Sequence, residues 1–333
     1  MKRIEWIDVA KAIGIILVVF AHALTKNTYM WNIIQQFHMP LFFIISGILF
    51  KGNVLSKKLV ISKLKRLYIP FVVLNIISTI ILSSKNFSII KKIIKVILLM
   101  KTSGIFGATW FLGSLFIISL LIPTIYKVIK IQNKSKKQVI IFNSILILIF
   151  LLLGLFTPVK SHHLSATLMG TSYYLFGYNL KNLNVFNKML SLNKIKKIFL
   201  ICICTLLLLG IASINVVSFS KGIYTFPVLS IISAISGCTI TYILSNMLCH
   251  NKLLNYVGKY TLEIMIWQFL AFKLVIVVQI LVYNLNFSVI SYFPYYDNHG
   301  IWLYLLAIFG IIVPIIMANI YKKIIETGKK LKV

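Results

Sequence analysis

The sequence predicts an all-α, polytopic membrane protein with about ten transmembrane helices and with both termini in the cytoplasm. Of its 333 residues, 59% are hydrophobic and only 12% are charged, and the mean hydropathy is +0.95. Apolar runs that are long enough to cross a bilayer recur along the whole chain. The basic residues fall mostly in alternate gaps between these runs, as the positive-inside rule expects of cytoplasmic loops.

Ten runs are predicted to span the membrane, within a single membrane domain that covers residues 1–333. They are 9–25, 38–51, 68–84, 110–126, 139–157, 164–180, 198–215, 224–247, 260–283 and 301–321. The second run is short unless it begins near Gln35. With the N-terminus inside, the basic residues cluster in the inner gaps and in the tail, and an even number of spans returns the C-terminus to the cytoplasm.

One gap departs from this charge pattern. Residues 85–109 are expected outside, yet they contain five lysines: Lys85, Lys91, Lys92, Lys95 and Lys101. Three of them lie on one side of an otherwise apolar helix, which is typical of an amphipathic helix at the membrane interface. The alternative is an eleventh span, which would invert the topology of everything after it. We favour the interfacial helix, because it keeps the basic residues of the later loops on the cytoplasmic side.

Composition also limits the partners of the chain. Lys and Arg number 35 against five acidic residues, which gives a net charge of +30. Because the positive-inside rule accounts for this charge, we expect the chain to contact membrane lipids and not to bind nucleic acid. The four cysteines lie in or at the end of apolar segments without a CxxC pair, so we predict packing roles, no disulfide and no metal site.

The first span carries ionisable residues in an unusual register. Lys11 and His22 are eleven residues apart, which is three helical turns plus roughly 20°, so they share one face at a separation of about 16 Å. Asp8 lies one turn before Lys11 on nearly the same face. Ionisable residues in an apolar membrane helix are costly and usually functional. The alternatives are a helix-start carboxylate, a lysine that snorkels to the interface and a histidine in the headgroup layer.

Two further stretches contain candidate site residues. His38 lies near the outer end of its span, as His22 does, so the two either face each other across a pocket or are both interfacial. Ser46-Gly47 would let another backbone approach closely. Lys63 and Arg66 share a helical face and suit a phosphorylated ligand, although topology or lipid headgroups also explain such cations.

Two later spans contain isolated polar or aromatic signals. Trp110 at the outer end of its span is expected to anchor the interface. Glu263 lies in an apolar helix and is expected to pair with a basic residue. The sequence contains no Gly-rich phosphate loop, GxSxG or HExxH motif.

These stretches together resemble the acyltransferase 3 family of bacterial membrane acyltransferases, ten-span proteins that O-acylate surface carbohydrates. The matching motifs are Asp8-x-x-Lys11-x10-His22, Phe37-His-Met-Pro-Leu-Phe-Phe-x-x-Ser46-Gly47, Lys63-x-x-Arg66 followed by Pro70, Trp110-Phe-Leu, and Gly258-Lys-Tyr-Thr-Leu-x-Ile. The opening residues are most similar to the branch that acetylates fucose and related sugars. Lys11 and Lys63 stand where arginine is common, and Gln268 stands where many relatives have histidine.

The resemblance implies an acetyl-CoA donor and, as acceptor, a sugar hydroxyl of a cell-envelope glycan, in capsule, exopolysaccharide, teichoic acid or a lipid-linked precursor. We expect no metal cofactor. The resemblance matches Lys11 and His22 to the family's basic-x10-histidine motif, and Lys63 and Arg66 to its donor-binding pair. We therefore expect a multi-pass O-acetyltransferase of the plasma membrane. It would act alone or with envelope-assembly partner proteins.

Within this hypothesis His22 is the general base on the acceptor hydroxyl, or alternatively a covalent acyl carrier. Asp8 and Lys11 would hold the helix or the donor. The rival hypotheses are a glycan or lipid transporter or flippase, whose pathway the same residues would line, and a structural partner in an envelope complex.

Overall fold

The computed structural model describes residues 5–82, 89–102, 104–157 and 163–330, and the all-α prediction is confirmed over them. The helices are α1 (Glu5–Ala23), α2 (Tyr29–Gln35), α3 (His38–Leu49), α4 (Lys57–Lys63), α5 (Ile69–Leu82), α6 (Ile89–Leu99), α7 (Trp110–Val128), α8 (Lys136–Phe156), α9 (Leu164–Asn182), α10 (Val185–Leu190), α11 (Lys194–Ile214), α12 (Pro227–Met247), α13 (Lys252–Lys259), α14 (Thr261–Tyr283) and α15 (Ile301–Lys330). A π-helical turn, Leu64–Tyr68, joins α4 to α5. The strands β1 (Val217–Ser218) and β2 (Ile223–Tyr224) form a small antiparallel pair.

The chain folds into two compact units. Unit 1 combines the two ends of the chain, Met1–Ile34 and Thr241–Val333, and unit 2 is the continuous stretch Gln35–Ile240. In unit 1, α1 packs against α13, α14 and α15, and α14 packs along α15. In unit 2, α9 is the central helix and contacts α3, α7 and α8.

Each of the ten predicted spans is occupied by a helix. Over the described ranges, nine helical segments are long and apolar enough to cross a membrane. The second begins earlier than predicted, because α2 and α3 together form the segment Tyr29–Leu49. Helix α9 is not among the nine, and it buries a series of serine, threonine and asparagine side chains.

The polar helix α9 nevertheless runs the length of α8. Near one end of the pair, Asn143 Nδ2 donates to Asn179 Oδ1 at 3.0 Å. Near the other end, Ser165 Oγ donates to the Gly154 carbonyl at 2.7 Å. Residues early in α8 therefore pair with residues late in α9, which makes the two helices antiparallel over the same depth. Since α8 is long and apolar enough to span, these contacts favour a tenth crossing by α9.

A tenth crossing predicts that tags inserted at Lys134 and Leu192 report the same side of the membrane, because α8 and α9 would cross in opposite directions. A tag at Lys221, one crossing further on, should report the other side. Labelling of the tags in intact and permeabilised cells measures this. Tags at Lys134 and Leu192 that report opposite sides would show that α9 does not cross.

Helices α3 and α9 meet through their backbones. An ideal Cβ atom placed on Gly47 would lie 1.8 Å from the Tyr174 carbonyl oxygen, and one placed on Gly177 would lie 2.2 Å from the Ile44 carbonyl oxygen. No side chain fits at either position, because real Cβ atoms do not approach an oxygen so closely. The close approach predicted at Ser46-Gly47 is thus confirmed.

Helix α6 is the amphipathic segment of the charge-rich gap. Its eleven residues span about 16 Å, roughly half of the hydrocarbon thickness of a bilayer. Lys91, Lys92 and Lys95 are exposed, and Tyr68 Oη donates to the Ile97 carbonyl at 3.0 Å, which ties α6 to the start of α5. This length favours the interfacial helix over an eleventh span. Lys85, which was part of the prediction, lies outside the described residues.

Candidate active site

Helix α1 carries three of the five predicted site residues and belongs to unit 1. Its first turn contains Glu5 and Asp8, where the positive end of the helix dipole favours carboxylates. The Asp8 side chain is buried, so its charge needs a partner inside the protein. The partner is Lys11, whose Nζ lies 2.8 Å from Asp8 Oδ1 one turn later. The pair leaves no uncompensated charge on this face of the helix.

Helix α13 packs directly on the backbone at Asp8. An ideal Cβ atom on Gly258 would lie 2.0 Å from the Asp8 carbonyl oxygen, so only glycine allows this contact. Helix α15 is also anchored here, because Tyr260 Oη donates to Asn319 Oδ1 and Lys322 Nζ lies 4.2 Å from the centre of the Tyr260 ring. The Gly258-Lys-Tyr stretch therefore fixes the start of α1 against α13 and α15.

His22 lies at the other end of α1 and is half-buried. Its Nδ1 atom is 3.0 Å from Oε1 of Gln268, a fully buried residue of α14. The Phe269 ring centre lies 4.8 Å from the His22 ring centre and 4.9 Å from that of Phe293. One nitrogen of the imidazole is thus held by an amide, and the ring is packed against an aromatic side chain.

The Gln268 amide sets the tautomer of His22. Gln268 Nε2 donates to the Met265 carbonyl at 3.1 Å, and this carbonyl can only accept, so the amide nitrogen is fixed on that side. The amide oxygen therefore faces His22 and must receive a hydrogen from Nδ1. In the neutral ring Nε2 is left as the basic nitrogen. The amide selects this tautomer without placing a negative charge beside the ring.

The loop of residues 284–300 binds the end of α1 next to His22. Asn298 Nδ2 donates to the Ala23 carbonyl at 2.9 Å, and Tyr295 Oη donates to the Leu24 carbonyl at 3.1 Å. The carbonyls at the end of a helix lack partners within it, so such donors stabilise the end. Burial raises the pKa of the Tyr295 hydroxyl, which therefore remains a donor at neutral pH.

The same loop is anchored on α14. Lys273 Nζ donates to the Ile290 carbonyl at 2.8 Å and also to the Tyr292 carbonyl. Gln279 Nε2 donates to the Asp297 carbonyl at 2.8 Å. Helix α14 thus has two roles. It binds the His22 imidazole, and it positions the 284–300 loop at the end of α1.

Lys63 and Arg66 lie in unit 2, on either side of the junction between α4 and the π-helical turn. Lys63 is half-buried and Arg66 is exposed. Single π-helical turns are rare and often occur at functional sites. All five acidic residues of the sequence lie outside 35–240. The two cations therefore have no carboxylate in their own unit and are suited to an external anion.

The five predicted residues form three separate groups. Asp8 and Lys11 are bonded to each other, and His22 lies about 16 Å further along α1 and is bonded to Gln268 instead. Lys63 and Arg66 form their own group in unit 2. Asp8 and Lys11 thus lie away from the imidazole, about three helical turns along α1.

The structure also locates three other residues that the sequence analysis singled out. His38 is buried at the start of α3. Trp110 is only 9% exposed and stacks on His163 at 5.5 Å between ring centres, so it is a packing residue of unit 2 and not an interface anchor. Glu263 lies in the first turn of α14. No basic group in the described part of the chain lies within ion-pair distance of it, and the helix dipole favours its charge there.

Sequence reasoning did not identify Gln268, Tyr295 and Asn298 as site residues. They lie 246, 271 and 275 residues from the groups that they bind, and no local pattern encodes such distant contacts. Gln268 did give a signal, because it replaces a histidine that many relatives have. The loop residues gave none.

Repeated helices of membrane-crossing length define a multi-pass membrane protein, and a histidine with one basic nitrogen is a group suited to acid–base or nucleophilic chemistry. The chain belongs to the acyltransferase 3 family, since the model of this family, an acyltransferase domain, matches residues 4–320. The protein is therefore a multi-pass membrane acyltransferase, and the match includes every candidate residue described above. No curated protein and no solved structure matches the chain. The predicted branch, acetylation of fucose and related sugars, stays a prediction.

If Gln268 sets the tautomer, Gln268→Leu should lower the turnover rate of acyl transfer by roughly tenfold or more, the order expected when a buried donor loses its acceptor. The KM for the donor should change little. Gln268→Glu keeps an acceptor oxygen at a similar reach and should retain more activity than the leucine variant. Initial rates in membranes with matched protein levels measure both. An equal loss of turnover in the two variants would mean that the acceptor oxygen of residue 268 does not contribute to the rate of acyl transfer.

Proposed function

We propose that the protein transfers an acetyl group from acetyl-CoA to a sugar hydroxyl of a cell-envelope glycan, or of its lipid-linked precursor, in the plasma membrane. The observation that supports this best is the His22–Gln268 hydrogen bond, which leaves Nε2 of the imidazole as a base. Family membership supplies the reaction type, acyl transfer. The acetyl group, the CoA donor and the glycan acceptor rest on the resemblance of the motifs.

In the proposed reaction Nε2 of His22 takes the proton of the acceptor hydroxyl while that oxygen attacks the thioester carbonyl. The carbon–sulfur bond breaks, CoA leaves as the thiolate, and the imidazolium returns its proton to the sulfur. Histidine is the usual group for this role, because its imidazole can take up a proton and return it within one reaction cycle. Asp8 and Lys11 support the other end of the helix and do not touch the reacting atoms.

A covalent route uses the same nitrogen. Nε2 would attack the thioester itself, so that the carbon–sulfur bond breaks and CoA leaves as the thiolate. The sugar oxygen would then take the acetyl group from the acetyl-imidazolium, and its proton would go to the thiolate. The two routes differ in one observable. Rapid quenching with labelled donor and no acceptor would leave label on the His22 peptide only in the covalent route.

Lys63 and Arg66 are proposed to bind the phosphates of CoA. Phosphate groups are matched by the guanidinium fork of Arg66 and by the point charge of Lys63. The absence of acidic residues from 35–240 means that a bound anion would not compete with an internal carboxylate.

The proposed function is tested by comparing envelope glycans of cells with and without the gene. Deletion should remove one acetyl unit from each modified sugar, and the wild-type gene, but not a His22→Gln version, should restore it. Membranes should also release free CoA thiol from acetyl-CoA when acceptor is present. A transporter or flippase would change the amount of surface glycan while leaving its acetylation intact, and that result would overturn the proposal.

The donor site gives a separate prediction. Changing both Lys63 and Arg66 to alanine should raise the KM for acetyl-CoA by roughly tenfold or more, because hydrogen bonds to charged groups contribute about 1.5–3 kcal/mol each. Added salt should raise the KM of the wild-type protein in the same direction, because salt screens charge contacts. Initial-rate kinetics measure both effects.

The matched control changes Lys136 and Lys137, two adjacent cations at the start of α8 in the same unit. This variant removes the same amount of charge and should leave the KM unchanged. If both double variants raise the KM equally, the effect belongs to the general charge of the unit and not to a donor site.

A further inference from the structure

Three side chains of different metal-binding chemistry meet at the start of α1. Glu5 belongs to its first turn, and Cys249 and His250 lie in the turn between α12 and α13. Their ligand atoms all lie within 4.8 Å of one another, and Glu5 Oε2 is 3.1 Å from His250 Nδ1. We infer that Glu5, Cys249 and His250 form a binding site for a divalent ion of the zinc class.

The distances suit a shared ion. Zinc binds sulfur at about 2.3 Å and nitrogen or carboxylate oxygen at about 2.0–2.2 Å, so the ligand atoms of a tetrahedral site lie roughly 3.3–3.7 Å apart. The three side chains are therefore close to this spacing before any ion is bound. Two of them are exposed and one is half-buried, so small rotations can complete the geometry.

The backbone that presents Cys249 and His250 is fixed by local hydrogen bonds. Asn255 Nδ2 donates to the Cys249 carbonyl at 2.5 Å, and the Asn251 amide donates to the Leu248 carbonyl at 2.9 Å. Asn251 Oδ1 also accepts from the Leu254 amide and begins α13. This turn is therefore held in one conformation relative to α13.

Glu5 is held in place by the packing of α1 on α13. The contact between Gly258 and the Asp8 carbonyl fixes the first turn of α1 against this helix. Glu5 lies one turn before Asp8 and so comes beside the turn that precedes α13. The ligands are thus presented by two helices that are already packed together, as a preformed site requires.

The ligand set selects the metal class. A thiolate, an imidazole and a carboxylate together suit Zn²⁺ and disfavour Mg²⁺ and Ca²⁺, which prefer oxygen ligands only. Three protein ligands leave a fourth position for water. The site lies about 25 Å along α1 from His22, so its ion would link α1 to the turn before α13 and would not take part in acyl transfer.

The test uses the thiol of Cys249 as its own reporter. Purified full-length protein, stripped with a chelator, is treated with a maleimide with and without Zn²⁺, and each cysteine peptide is quantified by mass spectrometry. Zinc should slow the modification of Cys249 by roughly tenfold or more, since the bound thiolate is no longer free to react. The modification of Cys202, an exposed free cysteine in unit 2, should not change, and chelation should reverse the effect.

Two variants make the result specific. His250→Ala or Glu5→Gln should abolish most of the protection, whereas His299→Ala, which removes an exposed histidine that also pairs with an acid, should preserve it. Cobalt should give a thiolate-to-metal charge-transfer band that Cys249→Ser removes. The inference would be overturned if zinc did not protect Cys249, or if it protected Cys249 in the Glu5→Gln and His250→Ala variants as well as in the wild-type protein.

Discussion

Replacing His22 with glutamine is expected to lower the rate of acyl transfer by roughly 10²–10⁴-fold, the usual contribution of a positioned acid–base group. Glutamine is similar in size to histidine and can hydrogen-bond to Gln268, but it cannot take up a proton at neutral pH. The protein should therefore insert and accumulate normally. Transfer measured in membranes, at matched protein levels, tests this. Donor affinity should be nearly intact in the variant, because His22 does not belong to the proposed phosphate site.

Two histidine variants serve as controls. His299→Ala removes an exposed histidine of the loop 284–300 and should leave transfer unchanged. His38→Ala tests the buried histidine at the start of α3. An active His22→Gln protein beside an inactive His38→Ala protein would assign the base to His38. Full activity in both the His22→Gln and the His38→Ala proteins would exclude catalysis by either histidine, and with it most of the proposed mechanism.

Replacing Gly47 with alanine is expected to have the largest effect on folding. The new methyl group would lie 1.8 Å from the Tyr174 carbonyl oxygen. The methyl group is bonded directly to the backbone of one helix and the oxygen belongs to the backbone of the other, so neither can rotate away. Helices α3 and α9 would have to separate, at a cost of at least about 1–3 kcal/mol, the usual range for overpacking. The amount of folded protein extracted in mild detergent, and its thermal midpoint, should both fall.

Gly210→Ala is the matched control, because no atom lies within 4 Å of its Cβ position in α11. It should leave the thermal midpoint unchanged or raise it slightly, since alanine favours a helix over glycine by about 1 kcal/mol. Gly177→Ala should resemble Gly47→Ala, and the double variant should cost less than the sum, because one methyl group already separates the helices. A stable Gly47→Ala protein would contradict the described contact.

The helices could be predicted well from the sequence, because the hydrocarbon interior of a bilayer imposes a simple rule. Every apolar run of sufficient length must be helical to satisfy its own backbone, and each predicted span is indeed a helix. The pairing of Asp8 with Lys11 was also accessible, since residues three apart share a helical face. The close approach at Gly47 followed from residue size alone.

The rest of the candidate site depends on which helices become neighbours, and periodicity does not determine that. Gln268 binds His22, and Asn298 binds Ala23, only because α14 and the following loop fold back on α1. Trp110 was misassigned to the interface for the same reason, since its partner His163 comes from another part of unit 2. Family membership places the motifs on the chain but does not give these contacts.

The division of unit 1 between the two ends of the chain has a consequence for biosynthesis. Helix α1 leaves the ribosome long before α13 and α14, because the second part of its unit begins only at Thr241. At about 5–20 residues per second, α1 waits roughly 10–50 s in the membrane before both α13 and α14 exist. The Asp8 carboxylate has its counter-ion on the same helix throughout this interval. Lys11 can therefore neutralise it from the moment of insertion, whereas the hydrogen bond that orients His22 forms only after Gln268 of α14 has been made.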